Sequence, residues 1–161
     1  MIAKQVIRSL LLLVVLGSLA IRANREYQKS QAAERSAQSP PPVEVFPKVD
    51  GDQVVMTYFM MGTRCVSCRK IEALARETAE KDFAGQLASR QLVFRVVDCD
   101  EPANQHYLKD YNLTSKTVVI SHRRDERETE WKNMDQVWDL LDEPAAFRAY
   151  LAQPIRQYLG S

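Results

Sequence analysis

The sequence predicts an α/β domain: a three-layer fold with a central mixed sheet of about four or five strands and helices on both faces. Three observations carry that prediction. Apolar runs of strand length, at residues 53–60 (QVVMTYFM), 92–98 (LVFRVVD) and 116–122 (KTVVISH), alternate with helical patterns. Two cysteines, Cys65 and Cys68, stand three positions apart just after the first run, at the head of a helical stripe of Cys68, Ile71, Leu74, Ala75, Thr78, Ala79 and Phe83. A composition of 161 residues, 45% hydrophobic and 27% charged, fits one globular domain with appendages.

The appendages come first. Lys4 and Arg8 precede a stretch, residues 10–21, that is apolar apart from Gly17 and Ser18. Ser18 and Ala20 are small residues at the positions a signal peptidase reads. The stretch is shorter than the roughly 20 residues of a spanning helix. Residues 1–21 therefore read as a cleaved export signal or an uncleaved membrane anchor. Arg22 and Arg25 beyond the site oppose the first reading. Residues 22–42 are polar and end in Pro40-Pro41-Pro42, a tether that stiffens toward its end. The domain is expected over residues 43–161, facing an extracytoplasmic, periplasmic compartment. Net charge is +1 overall, with five basic groups against Glu26 in residues 1–29. The domain itself is net acidic, which argues against a nucleic-acid surface. Three cysteines are too few for a disulfide scaffold.

Within the domain, residues 43–49 are expected to form a short first strand despite Pro47, with Asp50-Gly51 as a turn. Residues 53–60 form a strand buried on both faces. The cysteine helix runs to about Phe83, and residues 92–98 give the second core strand. Pro102 suits a helix start, and that helix reaches Tyr111. Residues 116–122 are the third strand, 123–126 a charged turn, and 127–132 an antiparallel edge strand guarded by its charges. The C-terminal helical region starts at 135–141. Asp142 is expected as N-cap to a helix that opens on Pro144, kinks near Pro154 and ends about Leu159.

Cys65 at the helix N-terminus faces unpaired N–H groups and the positive end of the dipole, which favour its thiolate. Arg64, Arg69 and Lys70 add positive charge nearby. With Cys68 one turn on, the pair suits thiol–disulfide exchange: Cys65 attacks and Cys68 resolves the mixed disulfide. Half of a zinc site is the competing reading, but Cys99, His106 and His122 do not supply a second pair at a usual spacing. A structural disulfide also competes, although so short a loop constrains little chain entropy.

The order strand, CxxC helix, strand, helix, strand, strand, helix is a thioredoxin-type plan, and the chain resembles thioredoxin-like proteins through Tyr58-Phe59 and the Cys65–Cys68 pair. It also resembles, more narrowly, the ArsF family, the nitrophenyl-compound nitroreductase subunit. Four blocks carry this: Arg64-Cys65 with Cys68-Arg69-Lys70-Ile71-Glu72; Asp100-Glu101-Pro102 with Asn104 and His106; Lys109-Asp110-Tyr111 with Val118-Val119; and Trp131-Lys132-Asn133 with Val137-Trp138. The resemblance implies a membrane-tethered or exported partner of a thiol-handling permease, linked to nitroaromatic arsenical reduction and efflux. Two departures stand out. Thr117 falls where thioredoxins place a cis-proline facing the dithiol, so its hydroxyl is expected near the sulfurs. The strand before the thiols also lacks the buried aspartate that relays a proton in thioredoxin.

Cys99 reads as an inert buried thiol, or as a third soft ligand beside Cys65 and Cys68. Trp131 and Trp138 read as core or interface anchors. His106 is expected on a helix surface and His122 on an edge strand. No flavin, nicotinamide or phosphate-loop fingerprint is present, so no cofactor is expected. Nitro reduction takes several electrons, normally through a flavin, so the chain should pass thiol electrons onward. Its expected partners are a membrane thiol–disulfide carrier or permease, a thiol or disulfide substrate protein, and the membrane through the N-terminus. The alternative is a binding module whose thiols hold an arsenical or soft metal without turnover.

Overall fold

The computed structural model describes residues 21–28, 46–47, 49 and 51–160. The chain divides into two units, Met1–Pro40 and Pro41–Ser161. In the first, residues 21–28 are helical and exposed. Among the described residues no helix is long and apolar enough to cross a membrane. The export signal or anchor, up to Ala20, and most of the tether lie outside the described residues.

The second unit holds four strands and four helices among its described residues: β1 (Asp52–Met60), α1 (Val66–Asp82), α2 (Ala84–Ala88), β2 (Leu92–Asp98), α3 (His106–Asp110), β3 (Thr117–Arg124), β4 (Arg127–Asn133) and α4 (Pro144–Leu159). The sheet order is β2-β1-β3-β4. β1 pairs parallel with β2, and the β1–β3 and β3–β4 pairs are antiparallel. This is the expected mixed α/β sheet. The parallel pair needs a crossover, which α1 and α2 supply.

β1 is apolar at almost every position because it lies between two strands with both faces covered. Val54, Met56 and Tyr58 point into a core shared with Ile71, Leu74 and Ala75 of α1 and Phe147, Leu151 and Ile155 of α4. Phe59 points the other way, into a smaller cluster with Cys99, Tyr107, Tyr111, Leu113 and Val119. The stripe read from the sequence of α1 is the face that is buried: Cys68, Ile71, Leu74, Ala75, Thr78 and Ala79.

Several local expectations are corrected. Phe46, Pro47 and Val49 belong to no strand, and the other residues of the expected first strand lie outside the described ones. Pro47 has no N–H to give a ladder, and its carbonyl accepts from the Gln53 side chain instead. The helix expected from Pro102 to Tyr111 is a 3-10 turn, Pro102–Asn104, followed by the single short helix α3. The residues after β4 likewise form a 3-10 turn, Asp135–Trp138. The N-cap of α4 is Glu143 and makes no side-chain cap bond, while Asp142 pairs with Lys70 at 2.9 Å. As expected, α4 opens on Pro144 and ends at Leu159, with Pro154 inside it and buried. His122 sits on β3, an interior strand. Its ring stacks on Tyr158 and its Nε2 lies 2.8 Å from Asp52 Oδ1. The charged turn is a two-residue hairpin loop, with Asp125 and Glu126 both at positive φ as such loops require.

Candidate functional site

The site forms where β1 ends. The chain leaves Met60 through Gly62, whose φ of 59° suits glycine, and whose N–H donates to Asp100 Oδ2 at 2.6 Å. That bond ties the loop before the thiols to the loop after β2. Cys65 is the N-cap of α1, with extended backbone (φ −87°, ψ 171°). Its sulfur accepts from the Cys68 N–H at 3.1 Å, the bond an N-cap oxygen would otherwise make. Cys65 is exposed, whereas Cys68 is 1% exposed on the buried stripe. The two are joined as a disulfide, with Cα atoms 5.0 Å apart. One sulfur thus meets solvent and a helix N-terminus, and the other waits inside one turn later.

Tyr58 underlies the pair. It is fully buried on β1 and its hydroxyl donates to the Cys68 carbonyl at 3.1 Å. Burial, with the Glu72 charge adding to it, pushes the Tyr58 hydroxyl up to about 12, against the opposing pull of Arg64. It therefore stays a neutral donor throughout the working range of a thiol.

The basic residues expected to surround Cys65 are arranged differently from one another. Arg64 pairs with Glu72 at 2.8 Å, and its Nε also reaches Met60 Sδ. Lys70 is drawn to Asp142. Arg69 is exposed and lines an open groove along α1 with Arg64, Glu72 and Arg76. A cation that sequence reading missed, Lys116, donates to the Thr63 carbonyl at 2.6 Å, two residues before Cys65. Only the tertiary fold brings it there. Its own carbonyl accepts from Trp138 Nε1 at 2.7 Å, so the segment entering β3 is held from both sides.

Thr117 opens β3 opposite Phe59, at the end of the sheet from which the thiol loop departs. Its hydroxyl does not serve the sulfurs. The single proton has two oxygen acceptors, Asn133 Oδ1 at 2.8 Å and the Val118 carbonyl at 3.4 Å. Threonine here ties β3 to β4, and the expected donor role toward Cys65 is corrected.

Cys99 is 2% exposed, and its N–H donates to the Met60 carbonyl. Burial first, then the charges of Asp98 and Asp100, push its thiol up to about 11, which disfavours its thiolate at neutral pH. The three-thiol ligand set of Cys65, Cys68 and Cys99 is not assembled: among the described residues no group of three His, Cys, Asp or Glu side chains could hold a metal. His106 pairs with Asp110 at 2.7 Å within α3. Trp138 anchors the β3 entry, as above. Trp131 is 39% exposed and packs edge-on against Tyr111, a member of the smaller core cluster.

No family model matches this chain. No curated protein matches it either. A solved structure of thioredoxin from Fasciola hepatica is similar at 19% identity, covering 68% of this chain and 83% of that one, with a TM-score of 0.38. A likeness at that level adds nothing to what the element order and sheet order establish. The thioredoxin-like assignment rests on those, and on a Cys65–Cys68 pair at the N-terminus of the helix that follows the central strand.

Proposed function

We propose that this protein is a thiol–disulfide oxidoreductase in which Cys65 attacks and Cys68 resolves. The observation that carries this reading is the asymmetry of the pair: an exposed Cys65 sulfur at a helix N-cap, hydrogen-bonded to a backbone N–H, and a buried Cys68 beneath it. A helix N-terminus and a donor to sulfur both favour the thiolate, so Cys65 is the nucleophile at neutral pH. Cys68 is deprotonated later, when the mixed disulfide has formed. Differential alkylation of the reduced protein tests this. Cys65 is expected to label at least about tenfold faster than Cys68, because it is exposed at a helix N-terminus while Cys68 is buried. The label should be lost reversibly as the redox poise becomes oxidising. Faster labelling of Cys68, or no reversible couple, would sink the assignment.

The wider role is an electron relay between a membrane thiol–disulfide carrier or permease and a thiol or disulfide substrate protein, outside the cytoplasm. Its support is the apolar N-terminal stretch with its basic flank and the polar tether that follows. The resemblance of four residue blocks to the ArsF family supports delivery of those electrons to a nitroaromatic or arsenical reduction and efflux system. In that arrangement the chain supplies thiol electrons and a partner supplies the multi-electron chemistry.

A further inference from the structure

Resting on the oxidoreductase reading, we propose that Glu72 is the proton acceptor for Cys68. Resolution of a mixed disulfide requires the buried Cys68 thiol to lose its proton where water has little access, and a positioned carboxylate is the simplest acceptor. β1 offers none: its buried positions are Gln53, Val54, Val55, Met56, Thr57, Tyr58 and Phe59. Glu72 lies four residues beyond Cys68 on α1, so the two side chains are neighbours on one helix face, with Cβ atoms about 5–6 Å apart. Long helical side chains lean back toward the N-terminus, over the preceding turn. Glu72 does so: its Oε2 reaches Arg64, the residue before Cys65, at 2.8 Å. Its charge also acts on the Tyr58 hydroxyl, which itself donates to the Cys68 carbonyl.

The carboxylate is therefore bracketed by the flank of one cysteine and the underlay of the other. Its side chain is 18% exposed, and it opens onto the groove lined by Arg69 and Arg76. Arg64, and Arg76 at 3.6 Å, hold the carboxylate in place, and the groove gives a proton a way out.

The step balances as follows. The Cys68 S–H proton passes to Glu72. The Cys68 thiolate attacks Cys65 Sγ in the Cys65–substrate disulfide. The Cys65–Cys68 bond forms, the bond to substrate sulfur breaks, and that electron pair leaves on the substrate as a thiolate. The dithiol is oxidised by two electrons and the substrate disulfide reduced. Glu72 then returns its proton to solvent through the groove.

Stopped-flow mixing of the reduced full chain with an excess of an aromatic disulfide separates the steps, because attack releases one coloured thiolate and resolution a second. Glu72→Gln is expected to retain the first phase. Its second phase should slow by on the order of 100-fold at neutral pH, a usual share for general base catalysis. That phase should also become proportional to hydroxide, where the native protein shows a plateau. Glu72→Asp, which keeps the carboxylate, should restore the plateau at a lower rate. A second phase in Glu72→Gln with the native rate and pH profile would overturn the role of Glu72 while leaving the oxidoreductase reading intact. Absence of the first phase in the native protein would overturn that reading itself.

Discussion

Cys68→Ser is expected to stop turnover at the mixed disulfide. The exposed Cys65 still attacks, since its helix N-terminus and its bond to the backbone N–H of residue 68 survive the change. What is lost is the second thiol, held one turn away with its Cα 5.0 Å from that of Cys65. An intramolecular nucleophile in such a position has an effective concentration on the order of 10⁵ M or more, whereas external thiol is present at millimolar levels. Turnover should therefore fall by at least about a thousandfold. The variant should accumulate as a covalent adduct that migrates with its substrate on a non-reducing gel and collapses on reduction. The adduct also identifies the substrate. Serine is close in shape to the buried cysteine, but its hydroxyl sits at a 1% exposed position, so a destabilisation of about 1–3 kcal/mol is expected without loss of the fold. If Cys68→Ser turned over normally, with no trapped adduct, Cys68 would not be the resolving thiol.

Phe147→Ala is expected to cost about 3–5 kcal/mol of stability, the usual range for deleting a buried phenylalanine. Phe147 is fully buried on the first turn of α4 and belongs to the cluster that joins α1 and α4 to β1. Removing its ring opens a cavity in the cluster through which the two long helices pack on the central strand. Domains of this size are stable by only about 5–15 kcal/mol in total, so the loss is a large fraction of the margin. Denaturant titration should show a lower midpoint with an unchanged slope. A loss below about 1 kcal/mol would mean that α4 is not packed as described. Reversible oxidation of the Cys65–Cys68 pair should survive at low temperature, since Phe147 lies in the core beneath the site and makes no hydrogen bond to the thiol loop through its side chain.

The parts of the fold legible in the sequence were those set by burial. β1 was visible as an apolar run because a strand covered on both faces has no polar alternation to hide it. β2 was visible to the residue although it is an edge strand, half-buried beyond Leu92, because its residues are mostly β-branched or aromatic. α1 was visible as a stripe, with Cys65 at its start, because one face of a 17-residue helix is buried at helical spacing. The segment from Pro102 to Tyr111 misled because proline marks a start but says nothing of length; the chain turns through a 3-10 segment at Asn104 to bring Tyr107 and Tyr111 against Phe59.

The site was legible only as far as its cysteines. Glu72 could have been found from its four-residue spacing to Cys68, a purely local signal. Lys116 could not, since it lies 53 residues from its acceptor Thr63. The hydroxyl of Thr117 was placed by analogy with a facing strand; which neighbour it bonds depends on β4, whose Asn133 comes within 2.8 Å only after the hairpin has folded. Side-chain partners across a sheet depend on register, which no pattern along a single strand records.

The central claim is that the Cys65–Cys68 pair passes electrons by exchange, with Cys65 in the lead. Reduction of insulin disulfides by the full chain, with a recycling reductant present, tests it most directly. The account predicts continuous turnover that disappears in Cys65→Ser and persists in Cys99→Ser. Tight stoichiometric capture of trivalent arsenic with no insulin turnover in the native protein would contradict it.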